Sequence, residues 1–253
     1  MAKSNFIPKT PRRFLFISSL GNPGPFHYTR HSAGHILLNA VVPLLAARIS
    51  PPPSVTREPS PLYTTYKSET LMNKSGPSLT RHLLKWVHTT KHEIMRAMTM
   101  STPPSWTLQE LKNVDGFNPT LVILHDELEA PLGKIKVRRG GSEEASCRGH
   151  RGLISTMESL RKKNIYASDG DAASRRAQQL PKKGNVPNEE VSLAISIMRI
   201  GVGIGRPETR EHKDVADYVL TQMNEAEITA VQRAAGFVAE LLVDELYRPV
   251  QKS

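Results

Sequence analysis

Cysteine is almost missing from this chain: Cys147 stands alone among 253 residues. That excludes an internal disulfide framework and any cysteine-rich zinc site, and it fits a reducing compartment. Acidic residues are absent from the N-terminal stretch, the first being Glu58. Lys3, Lys9, Arg12 and Arg13 therefore stand unopposed in a basic N-terminal extension, residues 1–13. An organellar address would need an amphipathic helix there, and Pro8 and Pro11 spoil one. A cytoplasmic location is expected, with the mitochondrion as the alternative. No apolar run approaches the roughly 20 residues needed to span a bilayer, so no membrane partner is expected. Apolar residues make up only 38% of the chain, which leaves room for long polar loops. Positive charge is what abounds. The formal net charge is +10, and an excess of that size suits a polyanion such as nucleic acid.

The chain is organised around Leu20–Gly34, L-G-N-P-G-P-F-H-Y-T-R-H-S-A-G. An apolar run, Phe14–Leu20, leads into this glycine-proline turn, and a helical pattern starts near Ser32. Apolar spacing predicts a helix over His35–Arg48, interrupted by Pro43. Five prolines mark Ser50–Pro61 as a loop. Leu62–Lys67 reads as a strand, Leu79–Met98 as a helix and Ser101–Asn118 as a loop. Thr120–Leu124 reads as a buried strand ending in His125-Asp126-Glu127-Leu128. Lys134–Arg138 alternates like a half-buried strand, Gly140–Gly149 is a loop, and Arg151–Lys162 is a helix. Lys163–Glu190 has no sustained apolar period and is expected to be a flexible insertion. Ser196–Ile204 returns to a strand, and Asn224–Tyr247 reads as one long helix capped by Asn224. Strands alternating with helices predict an α/β fold over residues 14–250. It is a single three-layer domain with a twisted, mixed sheet flanked by helices on both faces.

The chemistry-bearing residues all fall at strand ends or beside them: Asn22, Asn73 and Asp126 after strands, His150 at a helix start. Ligands bind beyond the strand ends of open α/β sheets. Asp126 has the chemistry to hold one nitrogen of His31 and free the other to take a proton from water. Turn or cap roles are the plainer alternative for Asp126, Asn73 and His150. Gly201-Val202-Gly203-Ile204-Gly205 has the wrong spacing for a dinucleotide loop. No pair among His31, His35, His125 and His150 has a recognised metal-ligand spacing, so neither a metal nor a cofactor is expected.

Six motifs occur in order: G-N-P-G at Gly21–Gly24, T-R-H-S-A-G at Thr29–Gly34, L-M-N-K-S-G at Leu71–Gly76, H-D-E-L at His125–Leu128, G-H-R-G-L at Gly149–Leu153, and R-I-G-V-G-I-G-R-P at Arg199–Pro207. In this the chain resembles the bacterial-type peptidyl-tRNA hydrolase family, from about Phe14 to Leu220, as a eukaryotic-lineage member with insertions. The resemblance implies a metal-free monomeric hydrolase that cleaves the ester between a peptide and the 3′-terminal ribose of tRNA. It implies that His31 is the general base and that Asp126 orients it. Asn22 and Asn73 would position peptide and water, and Met72 would line the apolar side of the cleft. His150 would contact the peptide or the 3′ end. Lys136, Arg138 and Arg199 match positions that grip tRNA phosphate; without the resemblance they read as solvated strand-edge charge. Some residues depart from the family pattern. Pro25-Phe26-His27-Tyr28 is one residue short, so Tyr28 or Phe26 takes the stacking place. Ser32 and Arg151 stand where asparagines are usual. These changes at the substrate-gripping rim keep a second reading in view, a non-enzymatic RNA-binding relative of the intron-splicing kind.

Overall fold

Phe14–Ser19 forms the first strand, β1, with five of its six residues buried. The computed structural model describes residues 11–49, 62–100, 117–140, 147, 149–167 and 193–249. Further strands are Tyr63–Lys67 (β2), Pro119–Glu127 (β3), Ile135–Arg139 (β4), Ile165–Ala167 (β5) and Leu193–Gly203 (β6). The sheet order is β2-β1-β3-β6-β4, with β5 also pairing with β6. β1 runs parallel to β2 and β3, and β3 and β5 run parallel to β6; β4 alone is antiparallel.

Alternation along the strands sends side chains into two cores. Leu15, Ile17, Val122, Leu124, Met198, Ile200 and Val202 face helices Ala33–Ile49 (α1), Glu225–Arg233 and Ala235–Tyr247. Phe16, Leu121, Ile123, Ile195 and Ile197 face helices Ser75–Met100 (α2) and Arg151–Lys162 (α3). The result is the three-layer arrangement expected, with helices on both faces. Leu37, Val41 and Leu45, four residues apart on α1, are fully buried. Each such side chain contributes about 1.5–3 kcal/mol.

Several boundaries differ from the sequence reading, each for a local reason. α1 runs straight through Pro43. Pro43 and Asn39, whose carbonyl it leaves without a helical donor, both lie on the exposed face, where solvent can satisfy a freed carbonyl at little cost. With its preceding turn, Arg30–Ile49 is long and apolar enough by composition to cross a membrane, which corrects the expectation that no such run exists. In this fold its buried side chains belong to the core. β3 extends to Glu127, so His125 and Asp126 are strand residues, paired with Gly201 and Val202.

The helix expected over Asn224–Tyr247 is two helices meeting at Ala234. Hereafter His212–Leu220 is α4, Glu225–Arg233 is α5 and Ala235–Tyr247 is α6. Asn224 does cap α5, accepting from the Glu227 N–H while Glu227 accepts from the Asn224 N–H, both at 2.9 Å. The expected insertion begins with a turn at 163–164 and strand β5; residues 168–190, the proline loop at 50–61 and most of the loops at 101–118 and 140–149 lie outside the described residues. Arg12 and Arg13, read as extension, belong to the fold: both backbone N–H groups donate to the Leu246 carbonyl. Arg13 is buried and donates to Ser196 Oγ at 2.6 Å. Arg139 and Arg248 pair with the buried Glu245, joining the sheet edge to α6.

The parallel strands all end on one side of the molecule. The turns after β1 and β2, the end of β3 and the start of α3 therefore meet there.

Candidate active site

A cleft of about 530 Å³ opens at those strand ends, lined by Asn22, Phe26, His31, Met72, Asn73, Asp126, Arg138, His150 and Arg151 among others. The turn after β1 delivers the first of them. Gly34 seats α1 against the strand ends, where a Cβ would lie 2.5 Å from the Leu124 carbonyl oxygen. This close approach puts the short 3-10 turn Arg30–Ser32, and with it His31, over the end of β3. Ser32 ties the turn together. Its hydroxyl donates to the Phe26 carbonyl at 2.7 Å and accepts from the Asn22 N–H at 2.9 Å.

His31 Nδ1 lies 3.0 and 3.1 Å from the two Asp126 carboxylate oxygens. Burial pushes the His31 ring down, but the charge and hydrogen bond of Asp126 outweigh it. Arg151 opposes them, and the ring's pKa ends above the ordinary 6.5. Burial pushes the Asp126 carboxyl up, yet the charges and hydrogen bonds of His31 and His150 hold it well below the usual carboxylate range. A carboxylate of that kind only accepts, so the proton of neutral His31 sits on Nδ1 and its Nε2 carries the lone pair.

His150 is fixed from both ends. As the cap of α3 its Nδ1 accepts from the Leu153 N–H at 3.2 Å, so its proton is on Nε2, which donates to Asp126 Oδ1 at 3.0 Å. Both ring nitrogens are thus spent inside the protein. His150 lines the cleft, but with both nitrogens engaged it has only the carbon edge and face of the ring to offer there, and it also positions Asp126. Asn22 is held as firmly, its Oδ1 accepting from the Met72 N–H at 2.9 Å. That bond sets the amide's orientation and makes the NH₂ the end with donors left to offer the cleft.

The other expected residues divide. Met72, Asn73, Phe26, Arg138 and Arg151 line the cleft, whereas Tyr28 and Lys136 do not. Of the two aromatics offered for stacking, Phe26 is the one at the site. Arg138 is already bonded to Glu127 at 2.6 Å; burial alone would raise the Glu127 pKa, and Arg138 more than reverses it. Arg199 is only 4% exposed. A guanidinium buried to that degree is not offered to a phosphate, so the phosphate role expected for it is dropped. Gly201-Val202-Gly203 is the end of β6 and not a loop, in keeping with the rejection of a dinucleotide site. His31, Asp126 and His150 place three ligand atoms within 4.8 Å of one another. Among the described residues this is the cluster whose spacing would suit a metal ion, a convergence that chain spacing did not reveal; here the two rings meet Asp126 through hydrogen bonds.

Sequence reasoning missed α4, whose Val215, Ala216, Val219 and Leu220 form an apolar wall of the cleft. Their spacing is helical and was the signal available. It also missed Arg30. The Arg30 guanidinium lies over the Tyr218 ring at 4.3 Å and donates to Glu227 Oε1 at 2.8 and 3.0 Å. It thereby ties the His31 turn to α4 and α5.

Two further histidines are held neutral by the fold. His35 donates to or accepts from Ser19 Oγ through Nδ1 at 2.8 Å; burial, then Lys67 and His27, bring its pKa down to about 3. His125 donates through Nδ1 to the Asp126 carbonyl at 2.7 Å, and burial, then His150, bring it to about 4. The unfolded chain binds protons at both from about pH 6.5, while the folded chain does not until about pH 4 and 3. Stability is therefore present above pH 6.5 and lost as pH falls toward 4, with a slope approaching about 2.7 kcal/mol per pH unit for the pair. Denaturant melts across this range test the point; a flat profile contradicts it.

No family model matches the chain. It is 29% identical over 217 residues to a probable peptidyl-tRNA hydrolase of Schizosaccharomyces pombe, covering 85% of this chain and 75% of that protein. It is 26% identical over 237 residues to a peptidyl-tRNA hydrolase of Geobacter metallireducens, covering 89% and 85%. Among solved structures, peptidyl-tRNA hydrolase from Acinetobacter baumannii matches with a TM-score of 0.49 and 19% identity over 92% of this chain and 88% of that one; a likeness of that degree decides nothing by itself. By these two alignments the chain is similar, over most of its length, to proteins named peptidyl-tRNA hydrolase.

Proposed function

We propose that this protein hydrolyses the ester between peptide and tRNA in peptidyl-tRNA, freeing the tRNA for reuse, with His31 as the general base. The observation that carries the reading is the His31 ring. Its Nδ1 is held by Asp126 while the ring borders the cleft, so Nε2 is the nitrogen left for chemistry. In the first step Nε2 takes a proton from water as the water oxygen bonds to the ester carbonyl carbon. Asp126 stabilises the imidazolium that forms. The Asn22 NH₂ is suited to donate to the oxyanion. When the carbon–oxygen ester bond breaks, the imidazolium returns the proton to the departing ribose 3′-oxygen, and the peptide leaves as a carboxylic acid. Phe26, Met72 and the apolar wall of α4 suit a peptide chain, and Asn73 and Arg151 stand where substrate polar groups would meet them.

The test is release of peptide from an N-blocked aminoacyl-tRNA by the full chain. Turnover is expected. A protein that binds tRNA or intron RNA tightly yet releases no peptide would replace this reading with the RNA-binding one.

A further inference from the structure

A second hollow, about 610 Å³, lies between the start of α2 and α3, and Asn73 lines both it and the catalytic cleft. The two helices approach closely at its floor. A Cβ on Gly76 would lie 2.0 Å from the Ser155 carbonyl oxygen, and the Gly76 N–H donates to Ser155 Oγ at 3.1 Å. Three cations converge on this groove: Lys74 from the turn before α2, Arg81 from α2 and Lys162 from the end of α3. All three are exposed. None forms an ion pair among the described residues. Glu158 is the single acid lining the groove. Two of the cations elsewhere around the cleft are in a different state: Arg138 is bonded to Glu127, and Arg206 to Glu129.

Resting on the hydrolase reading, we propose that this groove binds the phosphodiester backbone of the substrate tRNA where it leaves the cleft. A polyanion gains most from cations with no carboxylate to displace, since its binding is driven by release of its counterions. The groove is polar, concave and continuous with the cleft through Asn73, so a strand whose 3′ end sits at His31 has a charged path past Lys74 and Arg81 toward Lys162. The opposite wall, formed by α4, is apolar and suits the peptide. The two ends of the substrate thus leave the cleft by different walls. Phosphate contacts of this kind position the RNA without reading its sequence.

The experiment measures binding of deacylated tRNA to the full chain across a salt series, comparing wild type, a Lys74→Ala/Arg81→Ala/Lys162→Ala variant and a Lys136→Ala/Arg138→Ala variant. The triple variant is expected to bind about tenfold or more weakly, with the log–log salt slope shallower by about 2–3, as three lost phosphate contacts require. Its melting temperature and its kcat at saturating substrate should be unchanged, and its KM raised. A triple variant with the wild-type Kd and slope overturns the proposal, as does weakened binding with an unchanged slope. Peptide release by wild type keeps this outcome separate from the hydrolase reading. If wild type hydrolyses the ester and the triple variant binds normally, only the groove is wrong. If wild type neither binds nor hydrolyses, both fall.

Discussion

Replacing His31 by alanine is expected to lower kcat for peptidyl-tRNA hydrolysis by about 10²–10⁴-fold, the usual contribution of a positioned general base, while leaving tRNA binding intact. The size of the effect follows from the lack of a substitute. His150 uses one nitrogen to accept from Leu153 and the other to donate to Asp126. His125 is buried and donates its Nδ1 proton to a carbonyl. His212 lines the cleft from α4 but has no carboxylate partner among the described residues. On the proposed mechanism, removing His31 therefore leaves none of these histidines placed to take over as base. Single-turnover release assays, with tRNA binding measured in parallel, check both halves. Near-wild-type turnover in His31→Ala would show that the base lies elsewhere.

Asp126→Asn should be at least as damaging, with a loss of the order of 10³–10⁴ in kcat, comparable to what loss of the orienting carboxylate costs a catalytic triad. The substitution keeps shape but removes the charge and leaves one oxygen where two now accept. Leu153 fixes the tautomer of His150 so that its Nε2 must donate. The amide oxygen of an asparagine at 126 must then face His150, at the place now held by Oδ1. Its NH₂ falls at the place of Oδ2, 3.1 Å from His31 Nδ1, while the oxygen, 3.0 Å from the same nitrogen, is shared with His150. The NH₂ competes with that shared oxygen for Nδ1, and no carboxylate charge remains to stabilise an imidazolium. The same kinetic assay checks this, and an Asp126→Asn enzyme within a few fold of wild type would contradict it.

The core of the site was legible because its residues fall at chain features that sequence exposes. His31 follows a strand and a glycine-proline turn, and Asp126 ends an apolar β-rich run, so their pairing could be argued before any geometry. The role of His150 could not. It depends on a cap bond to Leu153 and a 3.0 Å contact to a residue 24 positions away, and a pattern along the chain carries neither. Ser32, read only as a departure, supplies hydrogen bonds that hold the turn. Arg199 shows the opposite failure: its motif is visible, but its burial depends on elements distant in sequence. The fold was read well where periodicity is strong, as in β1 and α3. It was misread where a local rule was applied without the tertiary setting, as at Pro43, which sits on the exposed face of a continuous helix. The break at Ala234 leaves the apolar period running across it, so periodicity alone passes over it.

The most direct test of His31 as the base held by Asp126 is the pH dependence of kcat/KM for wild type and for His31→Ala. On the proposed mechanism the neutral ring is the active form, and Asp126 raises its pKa above 6.5. Wild-type activity should therefore climb with pH through a single pKa above that value, and the residual activity of His31→Ala should lack the climb. The same acid limb in both proteins, or a wild-type limb below the ordinary imidazole range, would contradict it.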